Sequence, residues 1–132
     1  MSTLFTRIIN REVPGRFVYE DDVCVAFLSI EPLSPGHTLV VPRSEVDHWL
    51  YLDPSLASHL MLVAQRVGRA IDAVCNPVKV GMMIAGFEVP HVHIHVTAIN
   101  HVHDLDFANA DPNASPEELD ASADALRAVL NG

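Results

Sequence analysis

The segment His91-Val92-His93-Ile94-His95-Val96 places a histidine at every second position of an apolar run. A β-strand turns successive side chains to opposite faces, so the three imidazoles share one face and Val92, Ile94 and Val96 the other. Neighbouring same-face groups then stand roughly 6.5–7 Å apart. That spacing suits a row of catalytic or ligating groups laid along one substrate. It is a poor way to build a core, because each buried imidazole needs partners for two ring nitrogens. A neutral imidazole is a good nucleophile near neutral pH, its ordinary pKa being about 6.5. The other ring nitrogen must then hold the proton, and a backbone carbonyl is enough to fix that tautomer. Metal ligation is the competing use, since two histidines at i, i+2 on a strand are a familiar zinc arrangement.

Elements to position such a row are readable on either side. Phe17-Val18-Tyr19 and Val23 to Leu28 read as strands joined by a turn at Glu20-Asp21-Asp22. Pro32, Pro35 and Gly36 break the chain before a strand from Thr38 to Val41, which Pro42 ends. Asp53-Pro54 is a helix start, with a carboxylate cap and proline in the first position. Leu56, Leu60, Val63, Val67, Ile71 and Val74 continue it at helical spacing to about Cys75, before Asn76-Pro77. Val78 to Ala85 reads as a strand, Gly86 as a turn or close backbone approach, and Pro90 as the lead into the histidine strand. Ser115-Pro116-Glu117-Glu118 caps a last helix running to about Leu130. Hairpin-sized connections around one long helix imply an α+β domain, a mostly antiparallel sheet with a long central helix and a C-terminal helix.

Bulk properties narrow the function. The 132 residues fit a single domain over 1–132, and 49% hydrophobic residues exclude a disordered chain. With 8 Lys+Arg against 17 Asp+Glu, the formal charge of −9 excludes nucleic acid as a partner. A small phosphate ligand is still compatible, held by histidines and backbone N–H groups. Cys24 and Cys75 read as reduced, packed thiols of a cytoplasmic protein. Residues 1–10 lack a signal-type apolar core, and no run approaches the ~18–20 apolar residues of a membrane span.

Four motifs coincide: Val18-Tyr19-Glu20-Asp21, Ala26-Phe27-Leu28, Pro35-Gly36-His37-Thr38-Leu39-Val40-Val41-Pro42 and the triad itself. Together they resemble the histidine triad (HIT) superfamily of nucleotidyl hydrolases and transferases, in its Hint-like branch. The similarity runs from about Thr3 to Thr97, so the core is taken as 3–100 and the C-terminal extension as 101–132. The resemblance implies a HIT-like fold and a nucleophile at His93, which attacks the α-phosphorus of a nucleotide. It places His91, His95 and His37 around the phosphate and leaving group, with His95 as proton donor. It assigns nucleotide binding to Phe27, Ser29, Ile30, Gly86 and Glu88. It implies a purine mononucleotide ligand such as AMP or GMP, no cofactor and a homodimer.

Several residues depart from the family pattern. Thr3 and Thr6 stand where many members carry the cysteines of a structural zinc site, so no zinc site is expected there. Ser29 replaces an aspartate that holds the ribose, and Glu88 replaces a serine before the triad, where a carboxylate repels phosphate. Two rival readings follow, a non-catalytic nucleotide-binding regulatory dimer and a metal-dependent hydrolase with the triad as ligands. The other histidines are expected to be bystanders: His101 and His103 in a solvated loop, His48 and His59 on surface or helix faces. Trp49 and Tyr51 read as core or dimer contacts, with core preferred, Met82-Met83-Ile84 as a buried strand, and Arg43 as solvated.

Overall fold

The computed structural model describes residues 2–132. Strands β1 (Phe17–Glu20), β2 (Cys24–Leu28), β3 (Thr38–Pro42), β4 (Lys79–Met83) and β5 (Ile94–Ile99) form one antiparallel sheet in the order β1-β2-β3-β5-β4. Three helices flank it: α1 (Leu4–Ile9), α2 (Pro54–Cys75) and α3 (Pro116–Leu130). The architecture is the α+β arrangement that the patterning implies. Among the described residues no helix is long and apolar enough to cross a membrane.

Register decides what faces what. Phe17, Phe27, Leu39 and His95 are successive cross-strand partners, and so are Ala26, Val40 and Ile94. Adjacent rows point to opposite faces. The first row lies with Phe5, Ile8 and Ile9 of α1 in one apolar cluster. The second lies with Leu60, Val63, Val67 and Ile71 of α2, and with Ala123 and Leu126 of α3, in the other. The histidine face of β5 is therefore the α1 face, and its valine-isoleucine face is the core.

The helix ends follow their residues. Asp53 Oδ1 accepts from Ser55 N–H at 2.9 Å with Pro54 behind it, and Asn76 closes α2 in the left-handed region at φ 49°. Ser115 Oγ accepts from Glu118 N–H at 3.1 Å to start α3. Side-chain oxygens satisfy backbone donors that the first turn leaves unpaired.

Four expectations are corrected. The ladder of β5 begins at Ile94, so His91 and His93 precede it as buried extended chain rather than strand. Trp49 and Tyr51 are not core: they form an exposed 3₁₀ turn, 50% and 76% accessible. Met82 and Ile84 are not buried either: β4 is an edge strand, and Ile84 lies just past its end. Helix α1 has no counterpart in the sequence reading, since six residues carry too few repeats of the helical period to register.

Candidate active site

The chain turns at Gly36, whose φ of +91° is left-handed and favours glycine, and this delivers His37 to the start of β3. Pro90 ends a loop that brings His91 and His93 alongside the end of that strand. The outcome is four buried histidines, His37, His91, His93 and His95, within one continuous set of contacts on the α1 face. Phe5 packs edge-on against His91 and His93, with ring centroids 5.8 and 4.8 Å away.

Backbone groups fix the tautomers of His91, His93 and His37, and His37 fixes that of His95. Pro42 O can only accept, so His91 Nε2 donates to it at 2.7 Å. His91 Nδ1 then accepts from Thr3 Oγ1 at 2.6 Å. His91 O accepts from His93 Nδ1 at 2.7 Å. In neutral His93 this leaves Nε2 as a bare lone pair, and no described residue hydrogen-bonds it. On the other side Leu33 N–H donates to His37 Nδ1 at 3.0 Å. Neutral His37 therefore carries its proton on Nε2 and donates it to His95 Nδ1, 3.0 Å away. Neutral His95 must carry its own proton on Nε2. That atom is buried without a hydrogen-bond partner among the described residues. A buried donor left unpaired is costly, of order 1–3 kcal/mol, and an acceptor brought beside it removes that cost.

Protonation states agree with these assignments. Burial, reinforced by His95 and His93, pushes His37 down to about 3. Burial, reinforced by His93, pushes His95 down to about 4, while Glu88 opposes the shift. Burial also lowers His91, against the hydrogen bond to Pro42 O and the charge of Glu45. These three rings are neutral near neutral pH.

A cleft of about 390 Å³ opens beside this group, bounded by Ser29, Glu31, His37, Glu88, His95 and, from the C-terminal extension, Phe107, Ala110 and Pro112. Phe107 sits edge-on over His95 at 4.9 Å. Of the nucleotide-binding expectations, Ser29 and Glu88 line this cleft. Ile30 is 68% exposed nearby in sequence, and Gly86 takes a left-handed turn at φ +84°. Phe27 does not line the cleft: it is buried between Phe5 and Phe17, at 5.6 and 5.8 Å, and supports the floor.

The position of the family's zinc cysteines is filled by a polar clasp. Thr3 Oγ1 bonds His91, lies 3.3 Å from Thr6 Oγ1 and caps α1 by accepting from Thr6 N–H. Thr3 N–H donates to Glu45 at 2.8 Å. Such a hydroxyl pair does not fit a zinc centre, which takes thiolate, imidazole or carboxylate. Sequence reasoning missed Phe5, Phe107, and the Leu33 and Pro42 backbone atoms. Backbone groups have no sequence signature, and Phe107 reaches the site only through two 3₁₀ turns, Val102–Leu105 and Phe107–Asn109. His101 and His103 stack on one another in an exposed loop, away from the cleft.

The fold and the site together define an α+β domain that seats a cluster of tautomer-locked histidines beside a small cleft. Residues 10–103 match the HIT domain family model, and the chain belongs to that family. It is 37% identical over 100 residues to a HIT-like protein of Borreliella burgdorferi, covering 70% of this chain and 72% of the relative. A Zn-bound histidine triad family protein from Mycobacterium smegmatis superposes with TM-score 0.83 at 27% identity, covering 99% and 94% of the two chains. A hypothetical histidine triad nucleotide-binding protein from Sulfolobus tokodaii superposes with TM-score 0.82 at 26% identity, covering 96% and 91%. The chain lies in the branch that lacks the N-terminal cysteines, as the resemblance implies.

Proposed function

We propose that this protein hydrolyses or transfers the nucleotidyl group of a nucleoside phosphoramidate, or of a related nucleotide ester or anhydride, through a covalent nucleotidyl-His93 intermediate. The observation that carries this reading is the 2.7 Å contact between His93 Nδ1 and His91 O, which leaves Nε2 as a bare lone pair. That lone pair forms a bond to the α-phosphorus, and the bond to the leaving group breaks with its electron pair. The leaving group takes a proton from solvent, and the attacking water later returns one. Water then attacks the same phosphorus, releases the nucleoside monophosphate and returns the lone pair to Nε2. His95 Nε2–H is the donor for a phosphoryl oxygen or the leaving atom, held in that tautomer by His37. Positioning and charge stabilisation supply most of the rate in such transfers.

A purine mononucleotide such as AMP or GMP is the ligand of this reading, with Ser29 and Ile30 beside its ribose and no cofactor required. We extend the reading to a cytoplasmic homodimer. Both cysteines are free, β4 is an unpaired edge, and Met61 and Met82 are exposed beside it. Glu88 supports a second reading, a nucleotide-binding dimer without turnover, because a carboxylate at the cleft repels phosphate.

Intact-protein mass spectrometry after brief mixing with adenosine 5′-phosphoramidate at mildly acid pH decides between them. Catalysis adds one nucleotidyl mass to the wild type and none to His93→Ala. Nucleotide binding with neither adduct nor turnover selects the second reading. An adduct that persists in His93→Ala removes His93 as nucleophile.

A further inference from the structure

On the face of the sheet opposite the triad, three groups with metal-ligating atoms converge from three elements. Asp21 lies in the β1–β2 turn, Cys24 opens β2, and His59 lies in the first turns of α2. Asp21, Cys24 and His59 each offer one ligand atom, and these atoms lie within 4.8 Å of one another. His59 Nε2 is 2.6 Å from Asp21 Oδ2, and Cys24 Sγ is 3.7 Å from the same oxygen. Tyr19 OH donates to it at 2.7 Å. Cys24 is buried in the cluster that holds Val40, Leu60 and Ile71, so nothing here touches the triad.

We propose that Asp21, Cys24 and His59 form a binding site for one divalent transition-metal ion, with zinc as the best fit. Three observations carry the proposal. The donor set is thiolate, imidazole and carboxylate, the set zinc prefers. The geometry is near that of a tetrahedral site: bonds of ~2.0–2.3 Å put ligand atoms ~3.3–3.8 Å apart. The Cys24–Asp21 separation already fits, and the remaining two close or open by about 1 Å. Asp21 is held in place for the task, because its second oxygen, Oδ1, accepts from Val23 N–H and Cys24 N–H, both at 2.9 Å. That leaves Oδ2 turned toward the cluster.

Charge balance favours the ion. Zinc with one thiolate and one carboxylate is neutral, which avoids burying net charge beside the apolar core. Of the neighbouring cations, Arg43 donates from Nε to Asp21 O at 2.9 Å and pairs with Glu20 at 3.7 Å, and Arg66 lies over the Tyr19 ring. Zinc binds Cys24 as the thiolate, so its entry releases the thiol proton. The side chains of Asp21 and His59 are 24% and 38% exposed, which leaves an entry path and room for water as a fourth ligand beside Tyr19. A bound ion pins the β1–β2 turn to α2.

The test is cobalt titration of the full chain after chelator treatment, followed by zinc displacement. A thiolate-to-cobalt charge-transfer band that saturates at one cobalt per chain, disappears on zinc addition and survives Cys75→Ser supports the site. Cys24→Ser removes the band. His59→Gln, a change on a partly exposed helix position, weakens zinc by at least about 100-fold, since even outer-shell partners are worth 10–100-fold. At a zinc concentration that saturates the wild type, the Tm of the wild type rises and that of His59→Gln rises less. If Cys24→Ser does not fold, His59→Gln and Asp21→Asn carry the decision. Absence of the band in the wild type overturns the proposal, as does cobalt bound without a thiolate signature, or a band lost in Cys75→Ser.

Discussion

Replacing His95 by Gln should flatten the acid side of the stability profile. Burial is the leading cause that lowers His37, His91 and His95 below the ordinary 6.5, to about 3 for His37 and about 4 for His95. All three are at most 5% exposed, so solvent screening does not erase the effect. The folded chain keeps these rings neutral, whereas the unfolded chain lets them titrate near 6.5. Between these values the unfolded state binds more protons, and stability falls as pH falls. The contribution is complete above pH 6.5, is lost on the way down to the folded values, and levels off below them. Each ring adds at most about 1.4 kcal/mol per pH unit, so His37 and His95 give an upper bound of about 3 kcal/mol per pH unit near pH 5, and His91 acts in the same direction. His95→Gln removes one ring and lowers that slope by about 1.4 kcal/mol per unit. Urea unfolding followed by circular dichroism between about pH 7 and pH 5 measures it. The Asp21 carboxylate does not interfere. Burial raises it, but hydrogen bonds from His59, Tyr19 and two backbone N–H groups outweigh that and hold it below the usual range. Its loss begins only near the unfolded carboxylate value of about 3.9. A stability flat from pH 7 to pH 5, or an unchanged slope in the variant, would refute the reasoning.

Two further outcomes follow from packing. Phe107→Ala uncovers His95, so the His95 pKa moves up from about 4 toward 6.5 in an NMR titration; an unmoved value means that Phe107 does not desolvate the ring. Leu126→Ala removes a fully buried α3 side chain from the α2 cluster and costs about 2–5 kcal/mol in denaturant unfolding, while a loss under about 1 kcal/mol would mean that α3 is not docked there.

Much of this protein was legible one residue at a time. Asp53-Pro54 and Asn76-Pro77 bracket α2 because caps and prolines act on the adjacent backbone. Alternation in Val92-His93-Ile94-His95-Val96 assigns the core face and the chemical face because strand geometry has period two. Pro35-Gly36-His37 marks the turn that needs a left-handed residue. These are short-range effects, carried by the residues themselves. Other features depend on which distant atoms share a volume. Trp49 and Tyr51 look like core by composition and lie outside because, among the described residues, no helix or strand packs over them. Met82 is exposed because β4 falls at the sheet edge, which only the pairing order decides. Phe5 and Phe107 reach the triad from opposite ends of the chain. The proton on each histidine ring is assigned by Pro42 O, Leu33 N–H, His91 O and Thr3 Oγ1. His59, which alone reads as a surface histidine, meets Asp21 and Cys24 only once α2 lies across the sheet. The histidines were visible in the sequence; their tautomers, their burial and the cleft beside them arise from contacts between residues far apart along the chain, which folding alone brings together.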